Sequence, residues 1–367
     1  MNKLYILQTE QNILNVIAAK HFDCNNIVIM KDRAFKSPFA EDGLTTYLRN
    51  EGFRTETHTF DPYDRNDLNE LSQQLKKDDL FVVPNSRYAY TLNMVTLFRD
   101  KCRMAFVEED GDIYLQEGEH FKEVVKDQVD LEVEDYIENF GGYIKHSSEV
   151  LFEEPCANTL FKKIIQHLNT YRTMLKPSPI KMNYDTGYVH VDMQRLNKSQ
   201  KQLMTDLINI MVRYNVCALK EKSTHNTLIF YDDEYKDFIG KVGTWLEMAT
   251  YKALSNFKDV DSPMSSVFFY WNRKVSSVSN EIDVMGTYDN RLVLISCKDT
   301  GNNLEKALYE LFTHGEQLGF DKSFKVLVTT SELYPQLKQR AKELGIHLVR
   351  FDKDMRSLSV GLKQVLK

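Results

Sequence analysis

The sequence predicts an α/β protein with more than one hydrophobic core. Three observations carry that prediction. The chain has 367 residues, more than one typical core organises. Its first 145 residues alternate short apolar runs with helical stretches, the pattern of a mostly parallel sheet. Its last part, from residue 234, reads helix, three strands, helix, strand, helix, strand.

In order, KLYILQ is an apolar strand, and QNILNVIAAKHF carries Ile13, Val16, Ile17 and His21 at helical spacing. NNIVIMKD, TETHTF, DLFVVPN and RMAFVEED are further strands. Amphipathic or polar helices fall at Gly43–Glu51, Asp67–Lys76 and TLNMVTLFRDK. GDIYLQEG continues RMAFVEED as a hairpin through Asp110-Gly111. Together these predict a Rossmann-like domain over residues 1–145.

Residues 146–233 turn mostly helical. LFKKIIQHLNTYRTML and NKSQKQLMTDLINIMVRYNV are helices, the second with Ser199 as its N-cap. GYVHVDM and THNTLIFYDD add strands, so a small winged-helix-like module is expected here. Residues 234–367 run through the helix EYKDFIGKVGTWLEMATYKALSNF and the strands SVFFYWN, NEIDVMGTY and RLVLISCK. LEKALYELFTHGEQLG (helix), FKVLVTT (strand), ELYPQLKQRAKELG (helix) and IHLVRF (strand) complete that order. It is the order of a restriction-endonuclease-like core.

Composition narrows the class. Hydrophobic residues make up 42% and charged residues 27%, as in soluble globular proteins. No apolar run approaches the roughly 20 residues that span a bilayer. The apolar start of the chain is interrupted by Gln8, Thr9, Glu10, Gln11 and Asn12, unlike a secretory signal. The five cysteines (Cys24, Cys102, Cys156, Cys217, Cys297) form no CxxC, which argues against a zinc site or disulfide framework and for the cytoplasm. A net charge of −6 argues against a protein that coats nucleic acid, although a local patch or a metal ion can still hold a phosphate.

The chemistry concentrates in NEIDVMGTYDNRLVLISCK. Two strands meet at Tyr288-Asp289-Asn290, a hairpin signal. Asp283 lies on the first strand, and Ser296 and Lys298 end the second on one face, because residues two apart project the same way. A carboxylate beside a lysine suits phosphodiester hydrolysis. Asp283 would hold Mg²⁺ or Mn²⁺ with the backbone carbonyl of Cys297, and Lys298 would orient the attacking water or steady the phosphate. Glu247, two elements earlier, adds a carboxylate, and Glu281 is a further candidate on the Asp283 face. The competing structural reading is that an aspartate and a lysine on neighbouring strands form an ordinary pair. His314 reads as a packing or phosphate-side residue rather than a metal ligand, and Glu305 and Glu310 as a solvated helix face. Tyr270, Trp271 and Asn272 read as core and strand edge, and Lys162-Lys163 and Lys198–Lys201 as solvated charge.

The blocks GTWLEMATYKAL, NEIDVMGTYDNRLVLISCKD, LEKALYELFTHGEQLG and RAKELGIHLV, in that order, resemble the CARF-domain nucleases associated with type III CRISPR systems. In that family a CRISPR-associated Rossmann fold (CARF) precedes a PD-(D/E)xK nuclease. The opening KLYILQTEQNILNVIAAKHFDCNNIVIMKD resembles the family's first β-α-β unit. The sequence departs from the family twice. Ser296 stands where the motif usually carries glutamate, and Pro84-Asn85-Ser86-Arg87-Tyr88 replaces a glycine-rich turn.

The resemblance implies a homodimeric CARF sensor that binds a cyclic oligoadenylate, most often the tetra-adenylate, and a nuclease that cuts single-stranded RNA, DNA or both. Ligands of open α/β sheets bind at the carboxyl ends of strands. Two such ends are polar here: Gln8, Thr9, Gln11 and Asn12, and then Asn85, Ser86 and Arg87. Arg87 is a candidate phosphate partner, and Lys31 and Asp32 would line the same rim. Ser296 keeps an alternative open, a catalytically degenerate sensor or regulator acting by binding alone.

Overall fold

The structure is a computed structural model. It describes residues 1–367 except 23, 37–41, 84–89, 109–111, 119, 125–128, 177–178, 183–187, 222–224, 273–278, 302, 320–321 and 353. Three sheets organise the described residues.

The first sheet holds β1 (Leu4–Leu7), β2 (Asn26–Asp32), β3 (Arg54–Phe60), β4 (Leu80–Val83), β5 (Arg103–Val107), β6 (Ile113–Glu117) and β7 (His120–Val124). Its order is β3-β2-β1-β4-β5-β6-β7, parallel through β5 and antiparallel beyond it. The Rossmann-like expectation holds. β1 and β4 are buried throughout, as strands covered on both faces must be. The sequence reading did not anticipate β7, whose residues are largely exposed and lack an apolar alternation.

Next come β8 (Tyr143–His146) and the helices Glu149–Glu153, Pro155–Gln166 and Leu168–Met174. The stretch expected as one helix is thus broken, with His167 at φ −123° between two of the pieces. A second, antiparallel sheet has the order β11-β12-β10-β9, built from β9 (Ile180–Met182), β10 (Tyr188–Val191), β11 (Cys217–Glu221) and β12 (Asn226–Phe230). The helix Lys198–Arg213 crosses between β10 and β11 in the chain. Its cap is Asn197, not Ser199: Asn197 accepts from the Gln200 amide while the Gln200 side chain accepts from the Asn197 amide.

The third sheet is β17-β16-β15-β14-β13-β8, with β13 (Val260–Tyr270), β14 (Ser279–Tyr288), β15 (Arg291–Lys298), β16 (Phe324–Thr329) and β17 (Ile346–Arg350). β8, far upstream in the chain, pairs antiparallel with β13 and closes this sheet. The helix expected over 234–257 is interrupted: Asp237–Gly240 and Thr244–Leu254 are separate, with Gly243 as the N-cap of the second. Helices Leu304–Leu318, Pro335–Glu343 and Met355–Val365 complete the unit.

Alternation along β15 divides the two large cores. Val293, Ile295 and Cys297 face a core shared with helix Thr244–Leu254 and the middle helices. Leu292 and Leu294 face a second core shared with helix Leu304–Leu318, with Leu4 and Ile6 of the first sheet and with Ile17 of the helix Asn12–Phe22. The third sheet is therefore covered on both faces, and its catalytic candidates sit where the apolar runs end.

The hairpin of β14 and β15 is held at both tips. At its turn, Asp289 and Asn290 adopt φ of 51° and 53°, as a two-residue type I′ hairpin requires. The Asn290 carbonyl accepts from the Tyr136 hydroxyl at 2.6 Å, and its side-chain oxygen accepts from the Leu131 amide at 3.3 Å. At the other tip, buried Asp299 takes Arg172 Nε at 2.9 Å, Trp245 Nε1 at 3.0 Å and Thr330 Oγ1 at 2.9 Å.

Candidate nuclease site

β14 and β15 pair through Val284↔Ile295, so Asp283 and Ser296 come opposite each other just beyond the last apolar pair. Lys298 lies two residues further on the same face. Three donors converge on one oxygen of Asp283, Oδ2: Ser296 Oγ at 3.1 Å, the Cys297 amide at 2.6 Å and Lys298 Nζ at 3.2 Å. Ser296, in the place of a glutamate, therefore supports Asp283 instead of adding a second carboxylate to the hairpin.

Glu247 enters from the first turn of helix Thr244–Leu254. Gly243, the N-cap of that helix, lies beside it: a Cβ there would stand at ordinary contact, 3.4 Å from Glu247 Oε1. Glu247 Oε2 accepts from Ser266 Oγ at 3.2 Å. Ser266 lies on β13 between the pairs Ser265↔Val284 and Val267↔Ile282, hence opposite Asp283, and takes a left-handed φ of 48°. Its neighbour Ser265 donates to the Asp283 carbonyl at 3.2 Å. Sequence reasoning missed Ser266, because nothing in SPMSSVFF marks a strand residue with positive φ.

Electrostatics bind these groups into one site. Burial, followed by the charges of Asp283 and Glu281, pushes the Glu247 carboxyl up to about 8. Glu281 is raised by burial and then by Asp283. Burial alone would lower Lys298, but the Asp283 charge and hydrogen bond outweigh it, so its pKa is raised and the ammonium persists. Burial also raises the Cys297 thiol well above its ordinary value, so that sulfur is no thiolate ligand. Its Sγ lies 3.4 Å from Thr250 Oγ1 on the opposite face from Lys298.

Among the described residues, no three of His, Cys, Asp and Glu gather into a ready-made metal cage. The fit to a divalent cation comes from a different feature. Burial and then the charge of Asp283 raise both Glu247 and Glu281, and a cation placed between Glu247 and Asp283 would offset both effects. Asp283, Ser296 and Lys298 open into a cleft of about 280 Å³ that continues along β14 to Asn280 and Ser279, walled by Glu310 and His314 of helix Leu304–Leu318. The sequence places Glu310 on a solvated face and His314 in packing or on the phosphate side; Glu310 is indeed exposed. Both line this cleft, because residues four apart on a helix share a face.

The sensor candidates are distributed differently. Gln8 and Thr9 follow β1, at the point between β1 and β4 where the strand order reverses. Gln8, Thr9 and Asn12 are buried polar residues. Thr9 donates its amide to Asn12 Oδ1 at 3.2 Å, and the Gln11 amide donates to Thr9 Oγ1 at 3.1 Å. Lys31 is half-buried near the end of β2, in register with Thr59. Gln11 lines a narrow cavity against Tyr136, Asn290 and Arg291. Asn85, Ser86 and Arg87 lie outside the described residues. Asn15, which sequence reasoning passed over, is buried and donates to the Leu7 carbonyl at 2.8 Å.

No curated protein matches this sequence. Among solved structures, Can2 from Sulfobacillus thermosulfidooxidans, in complex with cyclic tetra-adenylate, is similar at a TM-score of 0.63 and 16% identity, over 100% of this chain and 97% of that one. Protein VC1899 from Vibrio cholerae is similar at 0.69 and 18%, over 99% and 98%. A type III CRISPR defence DNA nuclease activated by cyclic oligoadenylate is similar at 0.56 and 12%, over 96% of this chain and 48% of that one. At these identities the likeness is one of fold. No helix among the described residues is long and apolar enough to cross a membrane. Residues 232–363, which contain Glu247, Asp283, Ser296 and Lys298, match the family described as the Card1-like endonuclease domain, and the chain as a whole has a fold like that of Can2.

Proposed function

We propose that the protein is a metal-dependent nuclease of CRISPR antiviral defence, switched on by a cyclic oligoadenylate, that hydrolyses phosphodiester bonds in single-stranded RNA, DNA or both. The observation that carries this reading is the convergence of Ser296, the Cys297 amide and Lys298 on Asp283, within electrostatic reach of Glu247. Asp283 and Glu247, with the Cys297 carbonyl, would hold Mn²⁺ or Mg²⁺. Such an ion supplies Lewis-acid stabilisation of the phosphate and a water of lowered pKa. Lys298, kept protonated, steadies the charge that builds on the phosphoryl oxygens. Ser296 orients Asp283. Glu247 would have to be ionised to hold such an ion.

The activator reading rests on the polar strand ends at the reversal point of the first sheet and on the Can2 structure that holds cyclic tetra-adenylate. In this reading residues 1–145 are the sensor, 146–233 a connecting module and 234–367 the nuclease. Gln8, Thr9, Gln11, Asn12, Lys31, Asn85, Ser86 and Arg87 contribute to the ligand cleft of a cytoplasmic homodimer. A two-fold ring suits a two-fold cleft.

Ser296 favours a second reading, a sensor whose nuclease site has lost its strongest acid. Cleavage of labelled single-stranded RNA, single-stranded DNA and plasmid with Mn²⁺, with and without cyclic tetra-adenylate, separates the two. The nuclease reading expects cutting that needs both messenger and Lys298. Equal cutting by Lys298→Ala, or none from the native protein while the messenger binds, rejects it.

A further inference from the structure

The cleft extends past the hydrolytic residues, and its far end has a different chemistry. Asn280 and His314 face each other's neighbourhood there, one on β14 and one on helix Leu304–Leu318. Asn280 pairs with Phe269 in the strand register, and the His314 ring packs edge-on to that Phe269 at 6.1 Å and near Trp271 at 6.4 Å. Asn280 Nδ2 and His314 Nδ1 are both buried without a hydrogen-bond partner. Leaving a buried polar atom unpaired is unfavourable, and here two such atoms line one cleft.

The charges nearby indicate what would satisfy them. Burial lowers the His314 pKa against the opposing pull of Glu310, so its imidazole is neutral near pH 7. Among the described residues lining this stretch, the other ionisable groups are the carboxylates Glu281, which also feels the charge of Lys241, and Glu310, paired with Lys306 at 3.2 Å. A phosphate would be repelled here and drawn to Lys298. An uncharged, planar group rich in donors and acceptors would not be repelled.

We propose that Asn280 and His314 form a base-reading subsite: while the scissile phosphate sits at Asp283 and Lys298, an adjoining nucleobase of the single strand turns into the far end of the cleft and is hydrogen-bonded on its edge. An amide carries a donor and an acceptor side by side, the pattern that reads a base edge, and unstacked bases of single strands are free to turn out. The proposal deepens the nuclease reading and rests on it. It gives an otherwise general nuclease a preference at one nucleotide beside the cut.

The test uses the full-length protein with Mn²⁺ and cyclic tetra-adenylate on randomised single-stranded RNA and DNA libraries, with cut ends sequenced. The wild type should enrich one base at a fixed position. His314→Phe, which keeps the ring against Phe269, and Asn280→Leu should flatten that enrichment about fivefold or more, the low end of what a base-edge contact discriminates. KM for the preferred sequence should rise more than kcat falls. A flat wild-type profile, or a preference that survives in both variants, overturns the subsite. If the wild type cuts no more than Asp283→Ala, the nuclease reading has failed by itself. The subsite is then judged by binding of labelled homopolymers in Ca²⁺, and equal affinity for all four bases overturns it.

Discussion

Glutamine at position 247 makes a sharp test of the site's electrostatics. In the metal-free protein the Glu247 carboxyl is raised from an ordinary 4.5 to about 8, first by burial and then by Asp283 and Glu281. A group whose folded pKa lies above its unfolded value stabilises the fold fully below the unfolded pKa. That contribution is lost as pH rises through the folded one. Between pH 4.5 and about 8, ionisation therefore works against the folded state. At about 1.4 kcal/mol per pH unit the upper bound is ~5 kcal/mol, and relaxation of a partly accessible site brings the expectation to ~2 kcal/mol. Glu247→Gln keeps the shape and removes the charge. Without metal at pH 8.5 it should melt roughly 3 °C higher than wild type, and the gap should close by pH 5. Mn²⁺ should reverse the order, because it stabilises wild type by neutralising the carboxylates and finds one ligand fewer in the variant. Thermal unfolding followed by fluorescence at the two pH values, with and without Mn²⁺, reads all four states. A variant less stable than wild type at pH 8.5 in chelator, or a gap unaffected by pH, refutes the reasoning.

Three further outcomes follow from the same geometry. Metal binding at pH 7 should release about one proton per ion, seen as a dependence of calorimetric heat on the ionisation enthalpy of the buffer; zero release would mean Glu247 is already ionised. Ser296→Glu should lower metal-free stability by ~1–2 kcal/mol through repulsion with Asp283 while raising Mn²⁺ affinity about tenfold, read from metal-titrated melting curves. Arg172→Ala leaves Asp299, with 2% of its side chain exposed, short of its cationic partner and should cost ~3 kcal/mol in urea unfolding. Asp299→Asn in that background should restore part of the loss.

The hairpin was legible in the sequence because its logic is local. A turn at Asp289-Asn290 and two-residue alternation place Asp283, Ser296 and Lys298 on one face without knowledge of the rest of the chain. The alternating first sheet was legible for the same reason. What escaped was non-local or conformational. β8 joins a sheet whose next strand begins more than a hundred residues later, a pairing no window of sequence contains. Apolar spacing ran on through Lys241-Val242-Gly243, although the helix stops and restarts there to bring Glu247 in. Nothing in the sequence singles out Asp299, the residue after Lys298. Its partners Arg172 and Trp245 come from two other elements, so its burial could not be inferred from its neighbours.

The anchoring of the catalytic hairpin has a mechanical consequence. Backbone pairing along its length makes it a stiff bar, and its two tips belong to different parts of the molecule. The turn is pinned by Leu131 and Tyr136, which trail the first sheet, and the far end by Arg172 of the middle helices through Asp299. A rotation of the first sheet against the middle helices would thus reach Asp283 and Lys298 as torsion. Tyr136→Phe cuts one of the pins. It should loosen amide exchange at Val284 and Ile295 while the far tip at Asp299 stays protected.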